Sequence, residues 1–327
     1  MMETKLMSYR EAINLAMSEE MRRDEDIYLM GEDVGIYGAD FGTSVGMFKE
    51  FGPDRVIDTP ISEAAIAGCA IGSSITGLRP IVDLTFMDFI TIALDAIVNQ
   101  GAKLRYMFGG QGIKVPVTIR CASGSGIGSA AQHSQALESW LCHIPGIKVV
   151  SDAKGLLKSS IRDNNIVIFI EPKAEYGRKA EVPLDPDYTI PLGKGEIKRE
   201  GKDLTIVSYG RMLERVLQAA DEVKKEGISV EVVDPRTLVP LDKEIIIESV
   251  KKTGKLMLVN DAYKTGGFIG EISAMVSESD AFDYLDSPIY RLAGEDVPIP
   301  YARVLEVQMI PSVEDIKKKI HDIMNKQ

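Results

Sequence analysis

Cysteine and histidine are scarce in this 327-residue chain, with three of each. Cys69, Cys121 and Cys142 are scattered and include no Cys-x-x-Cys pair, so a disulfide framework is not expected and a reducing compartment is. His133, His143 and His321 form no cluster at zinc-ligand spacing. No run approaches the ~20 apolar residues of a membrane span. The opening stretch, Met1 to Glu11, has no apolar signal core, and its acidic residues speak against a transit peptide; the cytoplasm is the expected location. A strand followed by Gly-x-Gly-x-x-Gly, a helix and a later acid is missing, which disfavours a nicotinamide dehydrogenase. No repeat or low-complexity segment is evident. The net charge of −11 argues against nucleic acid as a main partner and suits docking to a basic protein segment.

What is present is ordinary for a globular protein: 45% hydrophobic and 27% charged residues. The length suggests two domains. Ser8 and Glu11 form a Ser-x-x-Glu capping box opening a helix with Ile13, Ala16 and Met17 on one face. Short apolar strands are predicted at Ile27–Met30, Val56–Ile57, Ile81–Phe86, Val115–Arg120, Lys148–Val150 and Ile166–Ile170, with helices after Glu63, over Ile90–Arg105 and over Asp152–Arg162. Strands alternating with helices imply a parallel sheet covered on both faces. Residues 172–195 carry Pro172, Pro183, Pro186 and Pro191 and read as a linker. A second α/β cycle begins at Leu204. It continues through a helix over Leu213–Lys225, ended by Gly227, and strands at Val230–Val233, Leu256–Val259 and Ile289–Leu292. Ser312 with Asp315 caps a last helix.

Within this pattern Glu63 is the most informative residue. It follows the strand Val56–Ile57 and Pro60, and it opens a helix built of Ala64, Ala65, Ala67, Gly68, Ala70 and Gly72. Small residues let a second backbone or a flat ring approach closely, and an acid held there loses water. The competing reading is an acid favoured by the helix dipole. Gly31-Glu32-Asp33-Val34-Gly35 forms a loop at a strand's C-terminal end, where open α/β sheets place ligands. Gly124, Gly126 and Gly128 do not form a dinucleotide fingerprint and read as giving their loop freedom. His143 reads as a packed helix end.

The chain resembles the β subunit of the thiamine-diphosphate-dependent first component of 2-oxoacid dehydrogenase complexes, in the transketolase-like group. The matching pieces run in order through nearly the whole chain: Gly31 to Gly35, Asp58-Thr-Pro-Ile-Ser-Glu63, Gly77 to Pro80, Phe86-Met-Asp-Phe89, Ala102 to Tyr106, Gln132-His-Ser-Gln135, Pro145 to Val149, Ala153 to Leu156 and Pro235 to Leu238. The runs Phe86 to Thr91 and Arg105 to Gln111 are most similar to acetoin dehydrogenase β subunits, with pyruvate dehydrogenase β subunits close. The resemblance implies an α/β chain of two doubly wound domains. Residues 1–185 would be a transketolase-like pyrimidine-binding domain and residues 186–327 a transketolase C-terminal-like domain.

It also implies a site. The coenzyme's chemistry needs one poorly hydrated carboxyl group bonded to N1′ of the aminopyrimidine, and the motif assigns that role to Glu63. Ile61, Thr85 and Phe89 would surround the ring; for Phe89 simple core packing is the competing reading. His133 would face the active-site channel and give a proton to the substrate-derived oxygen or the lipoyl disulfide, against the alternative of a satisfied structural histidine. Glu32 and Asp33 read equally as a proton relay or a turn. Relatives hold potassium with carbonyls near Val115, Val117 and Thr118 and with the pattern Ser160, Asp163, Asn165; a helix cap by Asn164 or Asn165 is the plainer reading. Between Val150 and Ala153 this chain has only Ser151 and Asp152, where relatives carry several more residues, and Ile166 stands where they have proline.

The family's diphosphate clamp, Gly-Asp-Gly followed by Asn holding magnesium, does not occur in this chain. The resemblance therefore implies a separate α subunit that holds the magnesium, an α2β2 heterotetramer, and a lipoyl acyltransferase core served by a dihydrolipoyl dehydrogenase. Acetoin is the favoured substrate, with pyruvate or a branched-chain 2-oxoacid next. A non-catalytic scaffolding subunit is the alternative from a different class.

Overall fold

The computed structural model describes residues 3–110, 112–151 and 154–325. The chain divides into two compact units, Met1–Ser123 with Trp140–Leu192, and Gly124–Ser139 with Gly193–Gln327.

In the first stretch the elements are β1 (Thr4–Ser8), α1 (Tyr9–Arg23), β2 (Ile27–Gly31), α2 (Met47–Phe51), β3 (Val56–Asp58), α3 (Glu63–Ser74), β4 (Arg79–Phe86), α4 (Ile90–Asp95), α5 (Ala102–Met107), β5 (Thr118–Ser123), α6 (Glu138–Cys142), β6 (Lys148–Ser151), α7 (Lys154–Arg162), β7 (Val167–Pro172) and β8 (Lys179–Pro183). The order β6-β7-β5-β4-β2-β3 is parallel throughout. Its central strands are buried along their length, as a sheet covered on both faces requires. One face packs Leu29, Ile81, Val150, Val167 and Phe169 against Ile13, Met17 and Met21 of α1 and Leu157 and Ile161 of α7. The other carries α3 on β4.

Charged residues join α1 to α7. Lys154 and Lys158, both buried, reach the two oxygens of Glu19 at 2.7 Å, and Arg162 pairs with Glu20 at 2.7 and 2.8 Å. The expected cap is present: the Ser8 amide donates to Glu11 at 2.7 Å. The helix expected over Ile90–Arg105 is there, but Ala96–Gly101 forms a π-helical segment between α4 and α5. The strand expected at Val115 begins instead at Thr118, because Pro116 has no amide for the ladder and the Val115 amide bonds the Asn164 carbonyl. Of the helix expected over Asp152–Arg162, Lys154–Arg162 is helical; Asp152 and Ala153, and with them the short connection after Val150, lie outside the described residues, as does Gln111. The stretch read as a linker contains β8, which pairs antiparallel with β1, a contact 175 or so residues apart that no local pattern announces.

The second unit carries β9 (Glu196–Arg199), β10 (Leu204–Ser208), α8 (Arg211–Lys224), β11 (Val230–Asp234), the short β12 (Thr237–Val239), α9 (Lys243–Thr253), β13 (Leu256–Tyr263), α10 (Ile269–Ser277), β14 (Tyr290–Gly294), α11 (Arg303–Glu306) and α12 (Val313–Met324). Its sheet has the order β14-β13-β10-β11-β9, parallel except for the edge strand β9. Met212, Val216, Ala219 and Val223 of α8 and Ile316, Ile320 and Ile323 of α12 pack on Leu204, Ile206, Val230 and Val232. The Ser312 hydroxyl accepts from the Asp315 amide at 3.1 Å, as the sequence indicates.

Candidate active site

Three neighbouring parallel strands, β4, β2 and β3, end at the same edge of the first unit's sheet. There they deliver the loop Gly31–Gly35, the turn Asp58–Ser62 and the residues after Asp83. The loops are tied together: the Gly35 amide donates to Asp58 at 2.6 Å and the Thr59 amide to the Gly31 carbonyl at 3.0 Å. A side chain at Gly31 would put its Cβ 2.6 Å from the Asp83 carbonyl, so the backbones touch there.

Glu63 is the first residue of α3 and is half-buried. Its helix turns Ala64, Ala65, Gly68, Cys69 and Gly72 outward, all exposed. Ile61, 73% exposed, precedes it. Burial raises the Glu32 carboxyl above its ordinary range, and the charges of Asp33, Asp40 and Glu63 push the same way. Glu32 therefore shares an acidic neighbourhood with Glu63.

Thr85 lies at the end of β4 with φ +56°, the left-handed region, unusual for a β-branched residue. Its amide donates to Asp83 at 2.8 Å. The other Asp83 oxygen accepts from Arg120 at 3.1 Å, and Arg120 grips Glu171 with two more bonds at 2.7 and 3.0 Å. The Tyr176 hydroxyl completes Glu171 at 2.6 Å. The two carboxylates hold the guanidinium protonated well above its ordinary range, against burial, and burial itself raises the Cys121 thiol beside it. Such strain persists where surroundings over-determine it. Phe89 is half-buried and meets Phe86 edge-on at 6.0 Å; Phe86 in turn meets Phe41, which stacks on Tyr176 at 4.6 Å. So Phe89 is braced by an aromatic row and keeps part of its surface open. Ile61, Glu63, Thr85 and Phe89 all lie at this one sheet edge.

His133 belongs to the second unit and is half-buried at the end of the turn Ala131–His133. The glycine loop before it is pinned, contrary to the freedom read from its composition. Gly124, Gly126, Gly128 and Ala130 alternate along it with φ of +85°, +115°, +75° and +60°. With ψ −174°, Ala130 occupies a region open almost only to glycine, at a cost of about 1–3 kcal/mol. The Glu306 carboxylate accepts from the Gly126 amide at 2.6 Å and the Gly128 amide at 3.1 Å, and Arg211 donates to the Ser125 carbonyl at 2.8 Å. At the far end Glu138 accepts from the Tyr209 hydroxyl at 3.0 Å. Burial, then the nearby Asp261, pushes the Glu138 carboxyl up to about 7. His143 follows α6 and is exposed, so it is not the packed helix end the sequence suggested.

The residues marked for a monovalent cation gather around the end of α7, but their oxygens are engaged. Asp163 pairs with Lys148 and accepts from the Asn165 side chain at 2.8 Å; the Asn165 amide oxygen accepts from Arg105 at 2.5 Å. The Ile161 and Asp163 carbonyls accept from Arg79 at 2.7 and 2.9 Å. Ser160 donates to the Leu156 carbonyl, Val115 and Val117 bond within the loop and to Val167, and Thr118 joins the ladder of β5. Three side-chain cations thus stand where an ion would, and these side-chain oxygens do not fit a bare ion as arranged. Among the described residues no group of three or more His, Cys, Asp or Glu could hold a metal.

The sequence reading missed Asp83, Arg120, Glu171 and Glu306. The signal available was a charge inside an otherwise apolar strand, Asp83 in Ile-Val-Asp-Leu and Arg120 in Thr-Ile-Arg-Cys, which a sheet buried on both faces permits only when paired.

The chain matches the family described as "Transketolase, pyrimidine binding domain" over residues 5–179 and that described as "Transketolase, C-terminal domain" over residues 193–316. It is 46% identical over 319 residues to the pyruvate dehydrogenase E1 component subunit beta of Rhizobium meliloti, covering 96% of this chain and 69% of that one. To the 2-oxoisovalerate dehydrogenase subunit beta of Bacillus subtilis it is 44% identical, covering 97% and 98%. To the acetoin:2,6-dichlorophenolindophenol oxidoreductase subunit beta of the same organism it is also 44% identical, covering 95% of each. A solved structure titled as a split gene transketolase, inactive beta4 tetramer, superposes with a TM-score of 0.78 at 24% identity, covering 97% of this chain and 98% of that one; this likeness shows the fold.

Proposed function

This chain belongs to the transketolase-like family of E1 β subunits of 2-oxoacid and acetoin dehydrogenases, and on that premise we propose that it is the catalytic β subunit of an enzyme that cleaves acetoin and passes the acyl fragment to a lipoyl group. One observation carries the reading. Glu63 is a half-buried acid at the start of a helix whose outward face is all small residues, at the sheet edge that also carries exposed Ile61 and half-buried Phe89. That donor set fits an aminopyrimidine: one carboxyl for a ring nitrogen, apolar surface for the ring, room for a second chain.

Thiamine diphosphate, when bound, supplies a ring carbon that becomes a nucleophile once its proton leaves. Glu63 would hold a proton at N1′ of the pyrimidine and so support loss of the proton from that ring carbon. Ile61 and Phe89 would wall the ring and exclude water, and Thr85, held by Asp83, would set the end of β4 beside it. His133 holds a proton for the substrate-derived oxygen or the lipoyl sulfur. The diphosphate and magnesium fall to an α subunit, because the Gly-Asp-Gly clamp of the family does not occur in this sequence. The α2β2 assembly, the lipoyl acyltransferase and its dihydrolipoyl dehydrogenase complete the proposal. Three scattered cysteines outside any disulfide suit a cytoplasmic setting, and among the described residues no helix is long and apolar enough to cross a membrane.

Acetoin leads because the runs Phe86 to Thr91 and Arg105 to Gln111 are most similar to acetoin enzymes; the pyruvate and 2-oxoisovalerate relatives are as similar over the whole chain. The test is a titration of thiamine diphosphate into the chain alone and into the complex with its α subunit, followed by turnover of acetoin, pyruvate and 2-oxoisovalerate. Binding only to the complex, with acetoin the best substrate, is expected. Faster turnover of a 2-oxoacid would transfer the substrate assignment, and tight binding by the chain alone would refute the shared pocket.

A further inference from the structure

The loop Gly124–Gly128 has the make-up of an anion nest: alternate glycines at positive φ turn the Gly126 and Gly128 amides toward one point. That point is filled by a group from the same chain. Glu306, 1% exposed, sits on the short helix α11 and spreads its two oxygens over both amides, at 2.6 Å to Gly126 and at 3.1 and 3.3 Å to Gly128. The other side of the loop is held as firmly. Arg211 donates to the Ser125 carbonyl at 2.8 Å, and a Cβ at Gly126 would collide with its guanidinium at 2.5 Å. A Cβ at Gly124 would meet Asp261 at 2.8 Å. Tyr209, two residues before Arg211, holds the loop's far end through Glu138. The loop is thus gripped at its start by an acid and a base and at its end by a tyrosine, all within the second unit, and His133 hangs between the grips.

We propose that Glu306 is a positioning residue for His133: its carboxylate clamps the Gly126 and Gly128 amides and so fixes the loop that presents the histidine for acyl transfer to the lipoyl group. The proposal rests on the role given to His133 above. The anion position of this glycine-rich loop is occupied by the protein's own carboxylate. Charge-assisted bonds to backbone amides are the stronger kind, and the two amides are five and seven residues from His133.

The test compares Glu306→Ala and Glu306→Gln with wild type and with His133→Ala, in the chain and in the complex with its α subunit. Amide hydrogen exchange at Gly126 and Gly128 should rise roughly tenfold to hundredfold in Glu306→Ala, and less in Glu306→Gln, which keeps an acceptor oxygen. In the complex, turnover with lipoamide should fall about tenfold more than dye reduction, with partial rescue in Glu306→Gln, while thiamine diphosphate affinity stays within about twofold. Unchanged exchange in Glu306→Ala overturns the clamp. Raised exchange with equal loss in both assays overturns the positioning role and leaves Glu306 merely structural. Failure of the underlying reading shows elsewhere: His133→Ala would then keep full lipoamide turnover, which overturns the catalytic half of the proposal whatever Glu306→Ala does.

Discussion

Arg120 lies in the middle of an apolar strand, 1% exposed, with its guanidinium divided between Glu171 and Asp83. Burying such a group is costly, and apolar residues of equal volume would often serve stability as well. What the ion cluster supplies is orientation. Asp83 is held on one oxygen by Arg120, and its other oxygen holds the Thr85 amide in a conformation a threonine rarely adopts. Glu63 stands out in the sequence because an acid beside a run of small residues is unusual. Asp83 and Glu306 were not, since their partners, Arg120 and the glycine loop, lie 37 and 180 residues away. Glu138 carries a separate expectation. Its carboxyl is raised from 4.5 to about 7, chiefly by burial. The folded state therefore prefers the protonated form. Its full stability is present below about pH 4.5 and is lost as pH rises through about 7. The loss amounts to roughly 3 kcal/mol at most. Glu138→Gln, which keeps an acceptor for Tyr209 and has no proton to lose, should leave stability at pH 4 near wild type and raise it at pH 8. Denaturant melts across pH check this; an unchanged pH slope would show that Glu138 does not titrate as described.

At the scale of elements, most of the strands and helices follow from short-range pattern. The Ser8 and Ser312 caps, the apolar stripes of α1, α8 and α12 and the β-branched strands are all local signals. The elements that escaped are those fixed from a distance. β8 pairs with β1, and the start of β5 is set by Pro116 and by the Asn164 carbonyl. The π segment Ala96–Gly101 brings Gly101 within 3.0 Å of Ile71 and Ile166, if a Cβ is imagined on it, so close packing governs the backbone there. The outward face of α3 is the element with the plainest functional consequence. Gly68 and Gly72 are exposed, and a Cβ on either meets nothing within 4 Å. Replacing both with leucine should stabilise the isolated helix by up to about 1 kcal/mol per site. The same change should block association with the α subunit by at least about tenfold if this face is the contact. Melting temperature and analytical ultracentrifugation read the two effects separately. Unhindered assembly of the double variant would remove α3 from the interface.

At the scale of the whole molecule, two transketolase-type domains stand in one chain, and the fold is shared with a protein titled as an inactive tetramer. Fold alone does not secure activity; under the proposal the acid at the sheet edge does. The family was legible because its motifs run in order along the sequence, whereas the substrate was not, because relatives named for pyruvate, 2-oxoisovalerate and acetoin are 44–46% identical alike. Substrate choice rests on side chains around the coenzyme, and part of that wall belongs to another polypeptide under the proposal. The acidic balance, −11, suits a basic docking partner. The most direct measurement is turnover by the complex of this chain with its α subunit carrying Glu63→Gln, with coenzyme binding and assembly measured on the same sample. The expected result is an assembled complex that binds thiamine diphosphate and turns over at least about a hundredfold more slowly than wild type. Wild-type turnover from that assembled, coenzyme-loaded variant would contradict it.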